Sequence, residues 1–207
     1  MPDFAIENTC PPLVCGIDEV GRGPLAGPVI AAAVIIHPHA YNDQSLQAIN
    51  DSKKISAKKR ALICQTLPDV SISAIGMASV EEIDRINIYQ ATFVAMQRAF
   101  QNLQALTRDP IRFALIDGNK TPDLPCPSRA VVKGDGKSLS IAAASIVAKE
   151  HRDRLMSDLA QQHPEYGWER NAGYGTKQHL SMLKTHGATQ HHRKTFKPVH
   201  EAITASY

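Results

Sequence analysis

An apolar run, Leu13-Val14-Cys15-Gly16-Ile17, ends in two adjacent acids, Asp18 and Glu19, and passes at once into Val20-Gly21-Arg22-Gly23-Pro24. A second apolar run, Val29–Ile36, follows this turn-prone stretch. Both runs are short and rich in β-branched residues, and Gly and Pro separate them, so they read as strands. The chain is therefore committed early to a sheet whose first strand ends in carboxylates. The Gly-Arg-Gly backbone beside them lets a phosphate or sugar approach closely, and carboxylates there can hold hard cations.

The remaining elements follow from caps and periods. Ser56 can cap a helix over Ala57–Leu67, and Val70–Met77 alternates weakly as a third strand. Ser79-Val80-Glu81-Glu82 has capping-box spacing and opens a short helix. Ile86, Tyr89, Phe93, Met96, Phe100 and Leu103 then follow steps of three and four, which place them on one helical face. Such a stripe reads as packing against a sheet rather than as a cofactor box. Arg112–Ile116 and Arg129–Val132 are two more short strands, and Ser140 to about Gln162 is a long helix. Tyr166–Gly175 reads as a loop, and Thr176 caps a helix that stops at Gly187. This order predicts an α/β fold, one mixed five-stranded sheet with helices on its faces and a C-terminal helical extension. The expected division is a core over residues 1–160 and a helical segment over 161–207.

At 207 residues the chain is long enough for one such domain with a small appendage. Its longest wholly apolar run is far short of a membrane span, and the Met1-Pro2-Asp3-Phe4 start has no signal-peptide character, so the expected location is the cytoplasm. Cys10, Cys15, Cys64 and Cys126 are scattered without C-x-x-C spacing, which argues for neither a disulfide framework nor a zinc site. Cys15 is expected as a small buried side chain. The net charge of +3 lies wholly in residues 161–207, where six Lys and Arg face three Asp and Glu, and six of the nine histidines lie there too. A mildly basic C-terminal part beside acids would suit a polyanion, although by itself it reads as a solvated face.

Chemistry enters through repetition. Asp18 and Glu19 follow the first strand, Asp117 ends the fourth in Leu115-Ile116-Asp117-Gly118-Asn119, and Asp135 follows the fifth in Val131-Val132-Lys133-Gly134-Asp135. An isolated acid pair or Asp-Gly is an ordinary solvated turn. Three strand ends that deliver carboxylates beside glycine are not. If the first, fourth and fifth strands lie side by side, the four acids converge and repel one another unless cations compensate. Oxygen-only ligation selects Mg²⁺ or Mn²⁺, and two such ions about 4 Å apart can clamp the attacking and leaving oxygens of a phosphoryl displacement. Asp18 and Glu19, as strand neighbours, share such a site only if the chain bends after them, which Gly21 and Gly23 allow. The expected chemistry is that of a metal-dependent phosphodiesterase. The glycine spacing matches no nucleotide-binding fingerprint, and His179, His186, His191, His192 and His200 lack zinc-ligand spacing, so surface positions are expected for them.

Together these blocks resemble bacterial ribonuclease HII, the type 2 ribonuclease H family. The matching segments are Cys15–Val29, Asn50-Asp51-Ser52-Lys53-Lys54, Ile116–Asn119, Val131–Asp135, Ile141–Lys149 with Arg152-Asp153, Gly173-Tyr174-Gly175-Thr176, and Gly187-Ala188-Thr189 through His192-Arg193 to Phe196. Each is modestly specific, but their order and spacing are highly so. The resemblance implies a ribonuclease H-like fold and hydrolysis of the RNA strand in RNA–DNA hybrids. It implies incision 5′ of a single ribonucleotide in duplex DNA, leaving a 3′-hydroxyl and a 5′-phosphate. It also implies that Asp18, Glu19, Asp117 and Asp135 are catalytic and bind a pair of Mg²⁺ or Mn²⁺ ions. Gly21-Arg22-Gly23 matches the motif that contacts the ribose 2′-hydroxyl, the group that distinguishes RNA from DNA. Tyr174 matches the aromatic that stacks on the adjoining deoxyribose; without its flanking glycines it would read as a buried loop tyrosine. Lys53, Lys54, His192 and Arg193 fall in blocks expected to contact phosphates.

The chain departs from the family pattern in three places, one of them a residue pair. Asn171-Ala172 stands where His-Lys is frequent, which puts one phosphate contact in question. Glu150 occupies a usually apolar position, and Thr195 replaces a frequent Ser. None touches the acids. The alternatives are a related metal nuclease with relaxed strand preference and a non-catalytic nucleic-acid-binding module on the same fold. Retention of four acids argues against the latter, because a pure binder gains from losing negative charge near phosphates. The expected partners are hybrid and ribonucleotide-containing duplexes, with the protein itself a monomer.

Overall fold

The computed structural model describes residues 1–41, 43–50, 52 and 55–204. Among these residues five strands form one sheet: β1 (Val14–Val20), β2 (Val29–Ile36), β3 (Ser71–Ala78), β4 (Phe113–Asp117) and β5 (Ser128–Val131), in the order β3-β2-β1-β4-β5. β1 pairs antiparallel with β2 and parallel with β4, and β4 pairs parallel with β5. The expected mixed sheet is therefore present, with the three acid-bearing strands side by side. Among the described residues six α-helices accompany it: α1 (Ala57–Thr66), α2 (Val80–Leu106), α3 (Leu139–Gln162), α4 (Trp168–Asn171), α5 (Lys177–His186) and α6 (Lys197–Thr204). No described helix is long and apolar enough to cross a membrane.

Local chemistry sets the helix ends. Ser56 Oγ accepts from the Lys59 amide and Thr176 Oγ1 from the His179 amide, both at 3.3 Å, as N-caps do. At the start of α2 the capping box is reciprocal. The Glu82 amide donates to Ser79 Oγ at 3.2 Å and the Ser79 amide to Glu82 Oε2 at 3.0 Å. α2 is two helices joined at Asn87, whose backbone is non-helical with φ 66°. Asn87 Oδ1 accepts from the Tyr89 and Gln90 amides, so it caps the second half itself. The expected short helix is followed by the long one, but the break falls at Asn87, so Ile86 of the expected stripe lies on the first of them. The expected loop over residues 166–175 instead contains the single helical turn α4. Gly167 before it and Ala172 after it both take left-handed backbone, which confines the turn to four residues.

The chain has two compact units. One unit comprises Met1–Val20, Ile30–Met77 and Phe93–Glu150; the second comprises Gly21–Val29, Ala78–Thr92 and His151–Tyr207. In the first, β2 is buried along both faces, and Ala32, Val34 and Ile36 share a core with Ala142, Ala143, Ile146 and Ala148 of α3. A side chain at Gly76 of β3 would lie within 2.2 Å of the backbone at Ala95 and Ala99, so bare backbone is what lets α2 pack on the strand. Met96, Phe100 and Leu103 of the expected stripe are buried there. Cys15 is buried as expected, and burial pushes its thiol well above the usual range. In the second unit Ala26, Met156, Ala160, Tyr166 and Trp168 form one core, and Leu25, Leu183 and Val199 another.

Candidate active site

In the first unit the parallel pairing places Ile17 opposite Ile116 and Asp117 opposite Val131. Asp18 and Asp117 thus leave neighbouring strands at the same level, and Asp135 follows β5 in a tight turn, Gly134–Gly136. That turn is tied to β4, because the Gly134 amide donates to Asp117 Oδ1 at 2.6 Å. A side chain at Gly134 would meet that carboxylate oxygen at 3.2 Å and Ile141 Cδ1 at 2.6 Å, so the glycine is needed for the approach.

Asp18 is buried, only 6% exposed. Burial first, then the charge on Glu19, then that on Asp117, push its carboxyl well above the usual carboxylate range. A hydrogen bond from the Ser145 hydroxyl and one from the Glu19 amide, at 2.7 Å to Asp18 Oδ1, pull the other way without winning. Ser145 is itself held by Ser52, Oγ to Oγ at 2.9 Å. Two acids acting on a third, desolvated carboxyl fit a divalent cation, which would reverse the local sign of charge. Among the described residues no three His, Cys, Asp or Glu side chains stand arranged to hold one ion as placed. One oxygen each of Asp18 and Asp117 is instead engaged by a backbone amide.

The second unit holds the other expected site residues. Gly21 has φ 93°, a left-handed backbone that only glycine takes without strain, and Gly23 lies against Tyr174. A Cβ built on Gly23 would stand 3.4 Å from Tyr174 Cε1. Tyr174 is 48% exposed, so it is not a buried loop tyrosine. The structure therefore brings the expected sugar-reading motif and the expected stacking aromatic together.

His192 and Arg193 have other partners than the expected phosphates: both are wholly buried. The Arg193 guanidinium donates to the carbonyls of Gly21 at 2.6 Å, Arg22 at 3.0 Å, Gly27 at 2.9 Å and Pro28 at 3.2 Å. It is the clasp of the Gly21–Pro28 loop. Burial, and next the charge on Arg152, lower its pKa to about 9, so it stays charged near neutral pH. Arg152 does the same work beside it, donating to Ala26, Pro28 and Ala172 carbonyls. Asp84 anchors the segment that follows Arg193, accepting from the Lys194 and Thr195 amides and from Thr195 Oγ1 at 2.6 Å. Thr195 thus supplies the hydroxyl that a Ser would. The expectation of surface histidines is corrected for His179 as well as His192, since both are buried and bonded to each other. Lys53 and Lys54 lie outside the described residues.

The model of the family described as ribonuclease HII matches residues 15–199 of this chain. The chain belongs to the ribonuclease HII family. A relative named ribonuclease HII from Paramagnetospirillum magneticum is 59% identical over 199 residues, 96% of this chain and 97% of the relative. Among solved structures, ribonuclease H2 from Pyrococcus horikoshii aligns with a TM-score of 0.73 at 23% identity over 93% of this chain and 97% of that one. Bst-RNase HIII, solved in complex with Mn²⁺, aligns with a TM-score of 0.73 at 17% identity over 100% of this chain and 74% of that one. At these identities the likeness speaks for the fold, a ribonuclease H fold. Ribonucleases HII are endoribonucleases that cleave RNA in RNA–DNA hybrids, and membership makes this chain an enzyme of that class.

Sequence reasoning gave no individual site role to Ser145, Arg152, His179 or Asp84. For two of them a signal existed. Ile141, Ser145, Ala148, Arg152 and Met156 follow helical steps along α3, so the two polar residues sit on its buried stripe. A polar residue at such a position must have an internal partner.

Proposed function

We propose that this member of the ribonuclease HII family is a divalent-metal-dependent endonuclease that incises 5′ of single ribonucleotides in duplex DNA as well as cleaving hybrids, leaving a 3′-hydroxyl and a 5′-phosphate. The observation that carries the metal dependence is the buried Asp18 carboxyl, which follows Ile17 as Asp117 follows its strand partner Ile116, with Glu19 next to it. Asp18, Glu19, Asp117 and Asp135 would hold Mg²⁺ or Mn²⁺, and the Mn²⁺ complex of the HIII neighbour supports that choice. Ions held there would activate water near neutral pH and offset charge on the departing 3′-oxygen.

The protein's own residues do the placing. The Gly21-Arg22-Gly23 backbone, clasped by Arg193, offers polar groups to a ribose 2′-hydroxyl without a side chain in the way at either glycine. The exposed Tyr174 ring next to Gly23 offers a face to the neighbouring deoxyribose. Lys53 and Lys54 are assigned to phosphates, where contacts position rather than specify. His192 and Arg193 are reassigned from phosphate contact to holding these loops. Asn171 also serves the loop. Its Nδ2 donates to the Tyr166 carbonyl and its Oδ1 accepts from the Gly173 amide, at 2.8 and 2.9 Å.

One assay tests the whole reading. The protein is incubated with Mg²⁺ and a duplex containing one ribonucleotide, an RNA–DNA hybrid or all-DNA duplex, and the product ends are mapped. Cuts 5′ of the ribonucleotide that vanish with chelator are expected. Equal cutting of all-DNA duplex, or undiminished cutting in chelator, would overturn it.

A further inference from the structure

The Tyr174 ring is half in solvent, so little packing sets its direction. Its aim must come from its backbone, and that backbone is held on both sides. The Tyr174 amide donates to the Asn171 carbonyl at 2.8 Å. The Tyr174 carbonyl accepts from the Thr176 amide at 2.8 Å and faces His179 Nδ1 at 2.9 Å. The peptide before Tyr174 is held as well, since the Gly173 carbonyl accepts from the Leu25 amide at 2.8 Å, and the peptide after it is held through the Tyr174 carbonyl, by the Thr176 amide and His179.

The protonation of His179 follows from its neighbours. Trp168 Nε1 can only donate, and it points at His179 Nε2 from 3.2 Å. His192 Nδ1 accepts from the Thr189 amide at 3.0 Å, so a neutral His192 carries its proton on Nε2. That Nε2 lies 3.1 Å from the same His179 Nε2. Two donors converge on one ring nitrogen, which must therefore be bare. The proton of a neutral His179 is then on Nδ1, where it is donated to the Tyr174 carbonyl. Both rings are fully buried, and burial lowers the pKa of each, which agrees with neutral imidazoles.

We propose that His179, locked as its Nδ1–H tautomer by Trp168 and His192, is a positioning residue that aims Tyr174 at the sugar next to a ribonucleotide. It rests on the reading of Tyr174 as a junction-stacking residue. His179 touches no substrate. It acts by fixing the plane of the Tyr174–Gly175 peptide, and His192 acts one step further back by dictating which nitrogen of His179 holds the proton. A histidine kept only for packing would fill the same volume without requiring this tautomer.

Three variants and one spectrum on the full chain test the proposal. The readout is kcat/KM on duplex with one ribonucleotide divided by kcat/KM on a long RNA–DNA hybrid. His179→Phe keeps the volume and loses the donor, and the ratio should fall roughly tenfold, as misplacement remote from the chemistry does. His179→Asn puts an amide N–H near the former Nδ1 and should return the ratio to within about threefold of the parent. Tyr174→Ala should lower the ratio at least as far as His179→Phe. If Tyr174→Ala leaves the ratio unchanged, the junction reading of Tyr174 fails. If Tyr174→Ala lowers it and folded His179→Phe does not, the junction reading stands and the positioning role is lost. Should His179→Phe not fold, the nitrogen-15 spectrum of the parent histidines decides. A protonated Nδ1 and bare Nε2 on His179 support the proposal, and the opposite tautomer overturns it.

Discussion

Arg193 Nη2 donates to the carbonyl oxygen of Gly21 at 2.6 Å, across 172 residues of chain, and Nη1 of the same guanidinium reaches the Arg22 carbonyl at 3.0 Å. The motif proposed to read the ribose is thus held by a planar fork from the far end of the sequence. A lysine ammonium is a point charge and cannot span four carbonyls in this way. Arg193→Lys is expected to destabilise the protein by about 2–4 kcal/mol, through buried carbonyls left short of a donor. Denaturant unfolding measures this. A loss below about 0.5 kcal/mol, the scale of an ordinary surface change, would contradict the clasp.

Asp117 accepts from the Gly134 amide and contributes charge around Asp18. Asp117→Asn keeps an acceptor for Gly134 but removes the charge that a divalent ion would need. Cleavage of hybrid should fall roughly hundredfold or more while hybrid affinity in chelator stays within about threefold. Substantial Mg²⁺-dependent activity in the variant would sink the assignment of Asp117 to the metal.

The acids were legible because their signal is local. Each follows an apolar run and stands beside glycine, and the strand order β1-β4-β5 then brings Asp18 and Asp117 to one level. The helix caps at Ser56, Ser79 and Thr176 were legible for the same reason, since a cap and its amide lie within three residues. Arg193 and His192 were not. A buried cation bonded to backbone carbonyls leaves no mark at its partners, because every residue has a carbonyl. Beside Lys194 in a basic segment, Arg193 had the appearance of a phosphate contact. His179 sits in a polar helix among exposed neighbours, and only the fold reveals Trp168 and His192 beside it.

Ala172 takes φ 48°, left-handed backbone that costs a residue with a Cβ roughly 1–2 kcal/mol. Its side chain is not what the loop uses; its carbonyl accepts from Arg152 Nη1 at 2.8 Å. Ala172→Gly should therefore stabilise the protein by up to about 1 kcal/mol, the relief of strain being partly offset by a freer unfolded chain. A small rise in thermal midpoint checks this, and a fall would show that the alanine methyl packs usefully.

His192 links stability to acid. Burial first, then the charges of His179, His191 and His163, lower its pKa to about 3. The unfolded histidine titrates near 6.5, so between those values the unfolded chain binds a proton that the folded one refuses. Stability is then full above about pH 6.5 and lost as pH falls through the window towards 3. Down to pH 5 the loss from this one group is about 2 kcal/mol. His179 and His191, also lowered by burial, add in the same direction, and Glu81 opposes the effect at His191. His192→Asn retains an acceptor near Nδ1 for the Thr189 amide and cannot titrate. Thermal midpoints of both proteins in chelator at pH 7, 6 and 5 should show the parent falling more steeply. Parallel profiles would mean that His192 is not held neutral by the fold.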